Sequence, residues 1–248
     1  MNLIKELVPL INRPFNEKLL EAQGIIAHNM GRFRGQVVCT FSGGKDSLVE
    51  TFLANAITPG VPVIFNNTGV EYPETVPYIK EIAERLNLNL IITKPIKTFW
   101  DCVDEFGFAS GKGKGKRAHC CYYLKEKPMQ EVIAQHGFKA MLTGITAVES
   151  RNRMFIARDY GMCYASKNWG IQRVHPILYW TEDEVRRYIA DMDLPLNPIY
   201  AQGKDRCGCM PCTAYKKWEV QLRRANPKLY AYIKQHKDKQ YVMGGIDE

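Results

Sequence analysis

The chain has 248 residues, with 34 Lys and Arg against 26 Asp and Glu for a formal charge of +8, and 46% of its residues are hydrophobic. That apolar share supports a packed core, and 13 Pro with 19 Gly follow no period, which excludes disorder, collagen and coiled coil. Met1 to Leu7 carries charge where a signal peptide needs an apolar run, and no stretch approaches the ~18 apolar residues of a membrane span, so a soluble, cytoplasmic protein is expected.

The first 35 residues read as helical, with Leu3, Leu7 and Leu10, then Leu19, Leu20, Ile25 and Ile26 at helical spacing on either side of Pro14. Gln36 to Phe41 is a short β-branched run of the buried-strand kind, followed by a glycine turn and a helix from Asp46 to Ile57. The alternation continues: strand Val61 to Asn66, helix Glu74 to Leu86, strand Leu88 to Thr93, helix Thr98 to Phe106. Gly111 to Arg117 alternates glycine with lysine and cannot be a regular element. Cys120 to Gln135 then reads as helix, Lys139 to Thr143 and Ile171 to Val174 as strands. Thr181 to Met192 reads as a helix whose Thr181 and Glu184 have capping-box spacing. Strands alternating with helices predict a doubly wound α/β fold with a mostly parallel sheet. The expected organisation is a helical N-terminal extension (1–35), a nucleotide-binding domain (36–212) and a basic helical tail (213–248).

Ser42-Gly43-Gly44-Lys45-Asp46-Ser47 falls where a strand meets a helix, the position at which open α/β sheets bind ligands. Two glycines let backbone N–H groups turn toward phosphate oxygens, the helix N-terminus adds partial positive charge, and Lys45 adds a full one. It is not a Walker A loop, because Cys39 stands where the first glycine would be. The six residues resemble the PP-loop of the N-type ATP pyrophosphatases. The resemblance implies an adenine nucleotide α-hydrolase fold in which Ser42, Gly43, Gly44 and Ser47 hold the departing phosphates of ATP, Lys45 stabilises their charge, and Asp46 orients Mg²⁺ or water.

Eight cysteines in a reducing compartment point to metal binding or catalysis rather than disulfides. Cys120-Cys121 and Cys209-Met210-Pro211-Cys212 supply four thiolates, enough for a [4Fe–4S] cluster or a Cys₄ zinc site, although an adjacent pair counts against zinc. An adjacent pair opposite a C-x-x-C is similar to the cluster-binding pattern of assimilatory adenylyl-sulfate reductases. Asn67-Thr68-Gly69 through Pro73-Glu74-Thr75, Thr143-Gly144-Ile145, His175-Pro176-Ile177 through Trp180-Thr181, Asn197-Pro198 with Tyr200, and Gly208 through Thr213 extend that resemblance. It is to the phosphoadenosine-phosphosulfate reductase family, cluster-containing branch, and implies that Asn67, Thr68, Gly69 and Gly144 face the nucleotide and that Cys120, Cys121, Cys209 and Cys212 hold a [4Fe–4S] cluster.

The chain also departs from that family. Its reductases carry a catalytic cysteine in a C-terminal E-C-G-L-H motif, and no cysteine follows Cys212 here. The family's paired arginines correspond to Thr146 and Ala147, and the arginine of C-C-x-x-R-K is Leu124. These losses turn the expectation toward an iron–sulfur ATP pyrophosphatase and sulfurtransferase in nucleic-acid sulfur modification, DNA phosphorothioation ahead of tRNA thiolation, supplied by a cysteine desulfurase. Cys207 is then the candidate sulfur carrier, its thiolate favoured by a nearby metal centre and by cations. The alternatives are an adenylyl-sulfate or phosphoadenylyl-sulfate reductase and a non-catalytic cluster-bearing nucleic-acid binder. From Thr213 onward eight Lys or Arg stand among aromatics, a composition suited to phosphate contact and base stacking. Lys112, Lys114, Lys116, Arg117, Lys216 and Lys217 are the expected nucleic-acid contacts, and a homodimer is left open.

Overall fold

The computed structural model describes residues 3–109, 119–215 and 217–243. Short helix α1 (Val8–Ile11) and long helix α2 (Phe15–Phe33) precede strand β1 (Val37–Thr40), which runs through the glycine turn into α3 (Lys45–Ile57). There follow β2 (Pro62–Asn66), α4 (Thr75–Arg85), β3 (Asn89–Thr93) and α5 (Phe99–Phe106). Then come α6 (His119–Cys121), a π-helical turn (Tyr122–Glu126) and α7 (Lys127–His136). The remainder is β4 (Ala140–Thr143), α8 (Arg151–Tyr160), β5 (Cys163–Ser166), β6 (Ile171–Val174), α9 (Glu182–Asp191), α10 (Trp218–Ala225) and α11 (Pro227–Met243).

The strands form one sheet in the order β3-β2-β1-β4-β6-β5, parallel except for β5 at the edge. Their continuous apolar runs are explained by burial on both faces. Val37 and Cys39 of β1, Val63 and Phe65 of β2, and Ala140 and Leu142 of β4 point into the larger core with α2, α3, α4 and α9. Val38, Ile64 and Met141 point the other way, against Ile133 and Phe138. Strand order reverses between β1 and β4, so the crevice beyond their carboxyl ends is where such a sheet receives a ligand. Among the described residues no helix is long and apolar enough to cross a membrane.

The inner face of α2, with Ala22 and Ile26, belongs to the larger core. Lys18 on the same helix is buried and donates to the carbonyl oxygens of Ile11 and Tyr179 and to the Glu184 carboxylate. Glu184 also closes the capping box with Thr181 that the spacing predicts. Three segments differ from the sequence expectation. Arg151–Tyr160 is helical but mostly polar, Cys163–Ser166 is an edge strand without clear alternation, and the helix expected from Cys120 is widened by a π turn just after the cysteine pair. Such turns concentrate at functional sites.

Candidate functional site

The phosphate loop leaves β1 at Phe41 and enters α3 at Lys45. Gly43 has φ +77°, a left-handed conformation that a side chain would strain, and it lies against Thr75 and Asn197. The Ser42 and Ser47 hydroxyls are 3.0 Å apart, and Ser47 also donates to the Gly44 carbonyl, so the two serines staple the turn. Lys45 Nζ pairs with Asp46 at 2.9 Å. The loop is gripped from behind by residues about 150 positions later. Tyr200 Oη accepts from Lys45 N at 3.1 Å, Asn197 Nδ2 donates to Gly43 O at 3.3 Å, and the Cys207 thiol donates to Gly43 O at 2.9 Å. Asn197 caps the short 3₁₀ turn that presents Tyr200.

Cys207 therefore lies on the phosphate loop, but the expectation that cations favour its thiolate is corrected. Burial outweighs the pull of Lys45 and Arg206 and pushes the thiol up to about 11. Gly144 has a packing role: a Cβ there would stand 2.4 Å from Asp46 O, so its lack of a side chain lets the end of β4 meet the first turn of α3.

Asn67, Thr68 and Gly69 form a loop beyond β2 that is closed on itself. Gly69 N donates to Asn67 Oδ1, and Thr68 donates from both N and Oγ1 to Glu71. This loop carries the C-x-x-C turn: Met210 N donates to Val70 O at 2.7 Å, Glu71 and Cys209 form an antiparallel bridge, and Thr68 Oγ1 is 3.5 Å from Cys209 Sγ. The two cysteine pairs, nearly ninety residues apart in the chain, share one electrostatic environment. A hydrogen bond from Cys120 to Cys121 holds Cys121 below the usual thiol range and pushes Cys120 up, and Cys120 also feels the charges of Cys209 and Cys212. Lys125 is held more tightly protonated, first by Cys209 and then by Cys121, Glu71 and Cys212. All eight cysteines are free thiols. Among the described residues no group of three or more His, Cys, Asp or Glu side chains is gathered to hold a metal ion.

Sequence reasoning assigned no role to Glu71, Asn197, Tyr200 or Arg206. Arg206 carries its charge toward Cys121, Cys207 and Cys212. Its only sequence signal is its position next to Cys207. Thr143 and His175 form a second buried contact at the strand ends, Oγ1 to Nδ1 at 2.6 Å, and burial pushes His175 down to about 3, so it is neutral.

The expected nucleic-acid contacts Lys112, Lys114, Lys116, Arg117 and Lys216 lie outside the described residues. Lys217 is exposed and pairs with Asp205. Three of the tail's aromatics are packed away rather than free for base stacking: Trp218 is buried, and Tyr215 and Tyr230 pack with it against Phe99, Phe108 and Leu124, whereas Tyr232 is exposed. Lys237 is buried as well and donates to Ala109 O.

A doubly wound sheet with a Ser-Gly-Gly-Lys-Asp-Ser loop at its switch point defines a protein of the adenine nucleotide α-hydrolase type. Its fold matches phosphoadenylyl-sulfate reductase from Candida auris in a phosphate complex (TM-score 0.60, 21% identity, 84% of this chain and 97% of that one). It also matches the NH3-dependent NAD synthetase of Campylobacter jejuni (TM-score 0.51, 14% identity, 95% and 98%). A family model described as the phosphoadenosine phosphosulfate reductase domain matches residues 36–215, and the chain belongs to that family. Adenosine 5'-phosphosulfate reductase of Staphylococcus haemolyticus is 32% identical over 182 residues (72% of this chain, 70% of the relative). The Staphylococcus epidermidis enzyme of the same name is 29% identical over 211 residues (83% and 82%). These relatives overturn the expectation of nucleic-acid sulfur modification, because the named relatives and the Candida auris structure that the chain matches are sulfonucleotide reductases. The DNA or tRNA acceptor and the desulfurase donor belonged to that expectation.

Proposed function

We propose that this protein is a sulfonucleotide reductase, which takes adenylyl sulfate or its 3'-phosphate and releases sulfite and the adenine nucleotide at the expense of a thiol reductant. The observation that carries the reading is the meeting of the two motifs at one rim of the sheet. The C-x-x-C turn is bonded to the loop beyond β2, and two residues before it Cys207 touches the phosphate loop. The names of the relatives support the same chemistry.

In this reading the nucleotide is an activated sulfate rather than ATP with Mg²⁺. The N–H groups of the glycine turn and the N-terminus of α3 receive its phosphate, and Lys45, held by Asp46, balances the charge that grows on that phosphate as the sulfonate departs. The donor set fits an iron–sulfur cluster: four free thiols in two pairs sense one another's charge, and Lys125 stands among them as a counter-charge. A cubane of four irons keeps its ligand sulfurs farther apart than a single ion does, so no convergence on one point is needed. Cys120, Cys121, Cys209 and Cys212 would hold a [4Fe–4S] cluster, which when bound supplies fixed charge and polarity to that rim.

The test is an anaerobic incubation with adenylyl sulfate or its 3'-phosphate and a dithiol, with sulfite and nucleotide product measured. Sulfite with one of the two nucleotides is expected, and its loss in Lys45→Ala. No sulfite from either, beside an active reference reductase, would sink the proposal. For the cluster, Cys209→Ala is expected to lose iron, sulfide and visible absorbance together, and retention of all three would remove Cys209 from the ligand set.

A further inference from the structure

We infer that Glu71 is a positioning residue that joins the loop beyond β2 to the C-x-x-C turn, so that a nucleotide seated at the strand ends and the Cys209 sulfur act on each other. The inference rests on the sulfonucleotide reading above. Glu71 falls between the Asn67-Thr68-Gly69 and Pro73-Glu74-Thr75 blocks that carry the family resemblance, and that resemblance gives it no role.

Two kinds of tie meet at this residue. Through the backbone, Glu71 forms its antiparallel bridge with Cys209, beside the bond from Met210 N to Val70 O at 2.7 Å. Cys212 N donates to Cys209 O at 3.2 Å and closes the turn. Through the side chain, Glu71 Oε1 accepts from Thr68 N at 3.0 Å and from Thr68 Oγ1 at 2.5 Å, and the same hydroxyl oxygen stands 3.5 Å from Cys209 Sγ. Thr68 is buried, and its hydroxyl has a single proton. With that proton committed to the carboxylate, the Thr68 oxygen is left to accept from the Cys209 thiol. Glu71 therefore fixes both the place of the loop and the side of Thr68 that meets the sulfur. Lys125 feels the charges of Cys209 and Glu71 alike, so the carboxylate is not an isolated charge at this rim.

The loop is also next to the phosphate loop. Strand β2 lies beside β1 with Thr40 opposite Ile64, and Phe41 N donates to Ile64 O at 2.9 Å just before Ser42. Residues 67–69 thus open onto the crevice in which a sheet of this kind holds its ligand. A nucleotide that orders Asn67 to Gly69 orders Thr68 with them and, through Thr68, the Cys209 sulfur. Such coupling between sites is reciprocal and ordinarily changes the second site by roughly 5–150-fold.

Alkylation of Cys209 in the full chain, followed by peptide mass, reads the coupling without turnover. Saturating AMP is expected to slow it at least ~5-fold in wild type. Glu71→Ala is expected to bind AMP still but to lose the protection, its ratio of rates falling to within about twofold of one. Glu71→Gln keeps an acceptor oxygen for both Thr68 donors and is expected to keep the protection. A merely structural Glu71 would instead speed alkylation equally with and without AMP and leave the ratio unchanged. Thr68→Val has the same shape without the hydroxyl and is expected to lose the protection too, which keeps the test alive if Glu71→Ala does not fold. In cluster-loaded protein, iron release to a chelator is expected to follow the same ratios. Protection that survives in Glu71→Ala or Thr68→Val, protection lost in Glu71→Gln, or wild type that binds AMP without slowing overturns the inference and leaves the reductase reading standing. Wild type that binds neither AMP nor adenylyl sulfate removes both.

Discussion

The Tyr200 hydroxyl accepts the backbone N–H of Lys45 at 3.1 Å, so a side chain 155 residues away occupies one of the donors that the first turn of α3 would otherwise turn toward an anion. Tyr200→Phe leaves that donor unpaired in a half-buried site, at a cost of about 1–3 kcal/mol. The variant is expected to melt lower without ligand and to gain more than wild type on adding nucleotide, because a phosphate oxygen can take the freed N–H. Thermal unfolding with and without AMP measures both. Equal melting temperatures would mean that water replaces the hydroxyl at no cost.

The contact between β4 and α3 is equally specific. A Cβ on Gly144 would lie 2.4 Å from Asp46 O and 2.6 Å from Ser47 Cα, both backbone atoms that cannot swing aside. Gly144→Ala must push the start of α3 away from the strand ends, and overpacking of this kind costs about 1–3 kcal/mol or more. We expect reduced stability together with a loss of nucleotide binding larger than the stability loss explains. A soluble variant with wild-type affinity would show that the loop can move as a unit with its ligand geometry intact.

How much of this was legible in the sequence follows the range of the interactions. Strands β1, β2 and β4 were readable because burial on both faces demands unbroken apolar runs, and the phosphate loop because six consecutive residues carry its chemistry. Helix α8 was missed because Arg151-Asn152-Arg153 and Arg158-Asp159 hide a narrow apolar stripe of Met154 and Ala157. Strand β5 was missed because an edge strand of four residues needs little alternation. In the tail, counting cations could not reveal that Lys237 is buried against Trp218, nor that Tyr215, Trp218 and Tyr230 serve a core. Cys207 was singled out beside its motif, but its contact with Gly43 spans 164 residues, and only the fold shows that burial opposes its ionisation.

Lys18 joins α2 to α9 with almost no exposure, and its ammonium is shared by two carbonyl oxygens and the Glu184 carboxylate at 2.6 Å. Lys18→Met removes the cation but keeps the length, leaving those acceptors without their donor, and a loss on the order of 3 kcal/mol is expected. Urea unfolding of Lys18→Met, Glu184→Gln and the double variant separates the pair from the capping box. If the two effects simply add, the ion pair contributes nothing of its own.

Glu50 gives the protein a pH dependence opposite in sign to that of a paired surface carboxylate. Its side chain is fully buried on α3, and burial, outweighing hydrogen bonds with Cys39 and Thr51, raises the carboxyl from 4.5 to about 8. Between those two values the folded state holds a proton that the unfolded chain has released. Stability from this group is therefore complete below 4.5 and is lost as the pH rises through about 8, by a few kcal/mol in all. Glu50→Gln keeps the shape and removes the titration. Melting temperatures of wild type should fall between about pH 4.5 and pH 8 and level off above that, while those of Glu50→Gln stay level, so that the variant is the more stable protein at the alkaline end. Parallel curves for the two proteins would mean that the buried carboxyl ionises without cost, and that water reaches it.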